Sequence, residues 1–317
     1  MKILSVHHET TYAYPDAVQH ADHLAFLRPS SGHYQTVLAQ DLQVQPEPDL
    51  RQHSRDSFGN LRDVFGLYAR HDHLKVIATS RVQTRSPVND TLLRDHALAW
   101  RDLPARLGYA AGRPYVPASE FSFSSPHVPE VAAIRDYALE VFSEEPGLAA
   151  ACLKLTRRIH AEFRYAPQTT AIDTPVHEAF RRREGVCQDF AHIMLSALRG
   201  LGLSARYVSG YLLTRPPAGQ PRRQGADASH AWVSVWCPGL ADDWVEFDPT
   251  NGIVAGDEHV RLAYGRDFDD VSPLRGVIRG GAEHRLSVAV TVEEEDATED
   301  PVDLTPARGM PKKEGKG

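Results

Sequence analysis

The chain is poor in cysteine, with three in 317 residues. That is too few for a disulfide framework, and the odd count points to a reducing compartment. It has no run of eighteen apolar residues, so no membrane span is expected. The opening MKILSVHHETTYAY lacks the apolar core of a secretion signal, and a cytoplasmic location is the resulting expectation. Basic residues are outnumbered, with 35 Lys and Arg against 42 Asp and Glu and a net charge of −7. That balance argues against a general binder of nucleic acid or anionic membrane. No Cys pair or spaced His-Glu helix motif accompanies the sixteen histidines, so His71 and His73 in HDH are not expected to form a metal site.

What is present is a chain long enough for about two domains, with an apolar share of 42%. The expected fold class is α+β. Residues 1–85 read as a β-rich, sandwich-like N-terminal domain, a candidate docking module. In ILSVHHETTYAY, Leu4, Val6, His8, Thr10, Tyr12 and Tyr14 share one strand face. DSFGNLRDVFGLY predicts two strands joined at Gly59-Asn60. Residues 86–128 form an ordered connection, because Tyr109, Tyr115, Phe121 and Phe123 call for burial.

From Pro129 the period becomes helical, and residues 129–292 form a second unit. Val131, Ile134, Ala138 and Val141 mark one helix; LAAACLKLTRRIHAEFRY is another. TPVHEAFRRRE is a third, with Thr174 as cap and Pro175 in its first turn. VCQDFAHIMLSALRGLG is apolar over a broad face and predicts a buried central helix. ARYVSGYLL, SHAWVSVWC, DWVEFDPTN and HRLSVAVTV then alternate as strands. Residues 293–317 are polar and expected to be disordered.

Cys187 stands where the central helix begins, just after Gly185. A thiol attacks as its thiolate, and a helix N-terminus and a neighbouring imidazolium both favour that form. Gly185 would let the chain turn sharply and keep the approach open. His230, at the start of SHAWVSVW, is the candidate imidazole. Asp248, ending the next strand before Pro249, is the group to orient it. Cys152 and Cys237 read as inert thiols. Asp189 is expected to favour the helix dipole, and His192 to be a satisfied core histidine.

GVCQDFA, RYVSGY, SHAWVSVW and WVEFDPTNG, in this order, resemble the transglutaminase-like superfamily. The likeness extends over almost the whole chain, to the bacterial branch with its β-rich N-terminal domain and papain-like core. The resemblance implies a central helix packed on an antiparallel sheet, with Cys187 as nucleophile, His230 as general base and acid, and Asp248 as orienting group. It implies Tyr165 as side-chain oxyanion donor, with Gln168 as the alternative. It also implies acyl transfer on amide bonds; because the chain lacks the extra β-domains and calcium loops of animal transglutaminases, no cofactor is expected, calcium included. Trp232 and Tyr211 suggest an aromatic-lined cleft for a peptide or protein substrate. Hydrolysis of a peptide or isopeptide bond is the expected outcome; glutamine transamidation uses the same triad, and a non-catalytic binding module is the third alternative.

Overall fold

The structure, a computed structural model, describes residues 1–295 except 87, 97, 168, 215–228 and 282. The N-terminal unit holds β1 (Lys2–Ala25), β2 (Gln35–Gln45), β3 (Leu50–Arg55), β4 (Leu61–Leu67) and β5 (His71–Thr84). The expected face of β1 is real, with Leu4, Val6, His8 and Thr10 buried. The hairpin turn also falls at Gly59-Asn60, where Gly59 has φ +88°. Its upstream strand, however, is LRQHSR. Residues 56–60 form the turn itself, because Asp56 Oδ1 accepts from the Phe58 and Asn60 amides at 2.9 and 2.8 Å.

The unit is one curled sheet in the order β2-β5-β1-β4-β3 rather than a sandwich. The register shifts between Ala13 and Val18, so one half of β1 pairs β5 and the other pairs β4. This bend lets the sheet enclose its own core, in which Val18, Leu42, Phe65 and Leu74 pack together.

The connection contains α1 (Asp90–Asp95) and α2 (Leu103–Leu107). Trp100, Leu103 and Phe121 anchor it in the core. Tyr109, Tyr115 and Phe123 are exposed, so of the four aromatics expected to be buried only Phe121 is.

The second unit opens with α3 (Ala132–Glu144), α4 (Leu148–Glu162), β6 (Arg164–Tyr165), α5 (Val176–Arg182), β7 (Glu184–Gly185) and α6 (Cys187–Gly200). Pro175, not Thr174, occupies the cap of α5. Nearly every side chain of α6 beyond its first two residues is buried. The sheet that α6 packs against contains β8 (Ala205–Leu212), β9 (Ser229–Trp236), β10 (Trp244–Asp248), β11 (Ile253–Val254) and β12 (His259–Gly265), in the order β11-β10-β9-β8-β12. β12 was not legible as a strand beforehand. Gln35 and Asn60 clasp it: each side-chain amide donates to one backbone carbonyl and accepts from an N–H, at Arg261 and Tyr264, over 2.7 to 2.8 Å. An edge strand is thereby covered by the N-terminal unit.

The chain then returns. β13 (Leu274–Gly280) and β14 (Arg285–Glu294) pair antiparallel with β1. The last expected strand therefore exists but belongs to the N-terminal sheet, and the boundary at 292 does not separate the units. Residues 293–295 are ordered as well, since Arg81 and Glu295 form an ion pair at 2.7 Å. The rest of the expected tail, and the polar loop before β9, lie outside the described residues. Among the described residues no helix is long and apolar enough to cross a membrane.

Candidate active site

Cys187 is the first residue of α6. Its surroundings are set by Asp189, whose Oδ2 accepts from the Val186 amide at 2.8 Å and from Thr170 Oγ1 at 2.7 Å. Burial pushes the Asp189 carboxyl up, against these two bonds. The expected helix-start role is present, with Thr170 as an added partner. Gly185 is required for a reason other than a sharp turn. Its φ lies outside the left-handed region, but a Cβ there would stand 2.5 Å from Asp189 Oδ2. Of the three free cysteines only Cys187 is not buried. Burial pushes the Cys152 and Cys237 thiols far up, as inert groups require.

His230 is the second residue of β9, opposite Gly210 on β8. Burial would lower its proton affinity. The Asp248 charge and hydrogen bond, joined by a hydrogen bond with Cys187, outweigh that and raise its pKa to about 10. Its Nε2 lies 2.8 Å from Asp248 Oδ2, which leaves Nδ1 for the sulfur.

Asp248 ends β10 and is fully buried. Burial pushes its carboxyl up, yet the His230 charge and hydrogen bond, with His259, hold it far below the ordinary range. Oδ1 accepts from the Thr250 and Asn251 amides at 2.9 and 3.1 Å. Oδ2 accepts from Asn251 Nδ2 at 2.6 Å and lies 3.2 Å from His259 Nε2. His259 Nδ1 accepts from the Gly256 amide, so its proton sits on Nε2, facing Asp248.

Asn251 and His259 were not singled out from the sequence. Asn251 had a local signal, since Asp-Pro-Thr-Asn is a turn in which Asp and Asn bond backbone amides. His259 had none, because it arrives on the unrecognised β12. His230, Asp248 and His259 place one potential metal-ligating atom each within 4.8 Å. These atoms are bonded to one another through protons, so they do not present a set of free lone pairs to a cation.

Trp232 and Tyr211 do not line the cleft. Trp232 is fully buried, donates from Nε1 to Glu246 Oε2 at 2.7 Å and packs edge-on against His259. A Cβ on Gly210 would collide with its ring. Tyr211 is also buried, with its hydroxyl 2.7 Å from His8 Nδ1 of β1. Tyr165 pairs with Gly185 in the short β6–β7 ladder, which brings it beside Cys187. Burial pushes its phenol up, and the Cys187 sulfur adds to this. Gln168 lies outside the described residues. His192 is buried as expected, and its Nε2 accepts from the Phe268 amide at 3.3 Å; burial lowers its pKa to about 3.

Cys187 and His230 face a groove of about 320 Å³. Part of its lining comes from α6, β8 and β9, and part from β1 and β14, through Tyr12, Leu286 and Val288. The N-terminal sheet is therefore part of the site.

Residues 4–83 match the bacterial transglutaminase-like N-terminal region, and residues 135–249 match the transglutaminase-like superfamily. An uncharacterized protein of Mycobacterium tuberculosis is 37% identical over 298 residues, which span 92% of this chain and 93% of that one. A protein-glutamine gamma-glutamyltransferase of Pseudomonas aeruginosa is 33% identical over 125 residues, covering 38% of this chain and 18% of the relative. The crystal structure of a candidate cysteine protease from Cytophaga hutchinsonii superposes with a TM-score of 0.70 at 18% identity, over 95% of this chain and 93% of the other.

Proposed function

Because this chain belongs to the transglutaminase-like superfamily, we propose that it is a cysteine-nucleophile enzyme of acyl transfer that hydrolyses a peptide or isopeptide bond. The observation that carries this reading is the relay from Cys187 to His230 to Asp248, with its reactive end opening into a groove.

In this reading the Cys187 thiolate, held beside the His230 imidazolium, attacks an amide carbonyl. The tetrahedral oxyanion accepts hydrogen bonds from the Cys187 N–H, at a helix start where amides lack intrahelical partners, and from the neutral Tyr165 phenol. His230 gives its proton to the departing amine, leaving a thioester and a neutral imidazole. A water molecule then attacks the thioester while His230 takes its proton, and the acid product leaves as the thiolate–imidazolium pair returns. Asp248, locked by Asn251 and the Thr250 amide, keeps the ring oriented through both halves. Ile172 and Leu286, both largely exposed at the groove, leave it open to water, which favours hydrolysis over amine transfer.

The test is product release from a peptide library, with and without an added primary amine, in wild type and Cys187→Ala. New carboxylate ends without amine, absent in the variant, are expected. Product found only as the amine conjugate would replace hydrolysis by transamidation. Equal inertness of both proteins would leave a binding module.

A further inference from the structure

The part of the groove lined by β1 and β14 has a chemical character that the triad does not determine. β14 runs along β1 with Leu286 opposite Tyr12 and Val288 opposite Thr10. Leu286 and Val288 are 50% and 49% exposed, and Ile172 on the other rim is 63% exposed. Such residues along one groove beside a nucleophile form an apolar surface without a partner among the described residues. Further along β14, Val290 and Val292 on the same face are buried in the core, so the strand passes from core to groove without changing face.

Charge points the same way. Among the described residues lining the groove there is no Asp, Glu, Lys or Arg. Its two titratable side chains besides Cys187 and the tyrosines are His230, taken by the triad, and His8. His8 is buried between Tyr211 and Thr10, and burial, aided by His7, lowers its pKa to about 4, so it carries no charge at neutral pH. A charged side chain entering the groove would give up water without meeting an opposite charge. An apolar one would cover Leu286, Val288 and Tyr12 and gain the full benefit of that burial.

We propose that β14 and β1 form the acyl-donor subsite of this enzyme, and that it selects peptides with a large uncharged apolar side chain within two residues before the scissile carbonyl. The proposal rests on Cys187 being the nucleophile, and it assigns to the N-terminal sheet the choice of substrate.

The test uses dipeptidyl chloromethyl ketones carrying Leu, Glu or Lys at either residue, with iodoacetamide as a reagent without a side chain. In each case the Cys187 sulfur displaces halide and forms a thioether. Rates relative to iodoacetamide are expected to favour Leu by about tenfold or more over Glu and Lys. Leu286→Asp and Val288→Asp, at half-exposed positions, are expected to abolish that preference and turn it toward Lys. Binding of the matched acetylated dipeptide amides to Cys187→Ala protein, followed by calorimetry, reads the same order without any reaction. Equal rates and affinities for the three side chains, or a Leu preference unchanged in both variants, overturn the subsite. Failure of iodoacetamide to modify Cys187 overturns the nucleophile instead, and the calorimetric order still decides the subsite.

Discussion

Replacing Asp248 by Asn removes one charge and adds two protons where three donors already point. In the native site Oδ2 faces His230, His259 and Asn251. An asparagine can turn its oxygen either toward that side or toward the Thr250 and Asn251 amides, but not both. The larger effect is on His230. Its pKa of about 10, against an ordinary 6.5, corresponds to about 5 kcal/mol favouring the charged ring, at 1.36 kcal/mol per tenfold change. A raised histidine stabilises the fold fully below 6.5, and that contribution is lost as pH rises through about 10. Asp248, held far below its ordinary 3.8, contributes above 3.8 and loses its contribution as pH falls toward its folded value. The two effects describe one ion pair and are not added. The stability gap between wild type and Asp248→Asn is therefore greatest between about pH 4 and 6.5 and narrows by up to about 5 kcal/mol toward pH 10. Urea unfolding of both proteins from pH 5 to 10 measures the gap. With Asp248 gone, burial acts against only the Cys187 contribution, so the alkaline fall in activity should also move to lower pH. Parallel stability curves with an unmoved activity profile would refute the ion pair as the organising interaction of the site.

Two other substitutions test the framework around Cys187, His230 and Asp248. Gly185→Ala forces Asp189 away from its place over the helix start; a loss of about 1–3 kcal/mol is expected, with slower alkylation of Cys187, and a neutral result in thermal unfolding would contradict the packing argument. Glu246→Gln removes the carboxylate that Arg261 Nε and Trp232 Nε1 share in the core, leaving a buried guanidinium stacked on Tyr34 without its counter-charge. This should cost about 3–5 kcal/mol in urea unfolding, and a change below 1 kcal/mol would show that the charge is compensated elsewhere.

The parts of the site that could be read beforehand are those with local signatures. Cys187 opens an apolar helix, His230 begins an alternating strand, and Asp248 precedes Pro249. Each sits at an element end, so local pattern was enough to bring them to one edge of the sheet. Failures occurred where position depends on distant chain. β14 looked like a strand of the second unit, because nothing in HRLSVAVTV records that its partner lies some 280 residues earlier. His259 could not be found for the same reason. Trp232 and Tyr211 were assigned to a cleft, and each is instead buried behind it: the tryptophan beside the His230 ring and the tyrosine hydroxyl against His8 of β1. Tyr109, Tyr115 and Phe123 show the converse, since an aromatic side chain expected in a core can remain in solvent when the connection has only a few anchors.

The most direct test of the central claim is the rate of Cys187 alkylation by iodoacetamide from pH 5 to 10, followed by mass spectrometry in wild type and His230→Ala. The imidazolium persists to about pH 10, so wild-type Cys187 should be labelled rapidly well into the acidic range, and the variant should lose that reactivity below neutral pH while keeping it in alkali. Superimposable profiles for the two proteins would contradict a Cys187–His230 pair and, with it, the proposed chemistry.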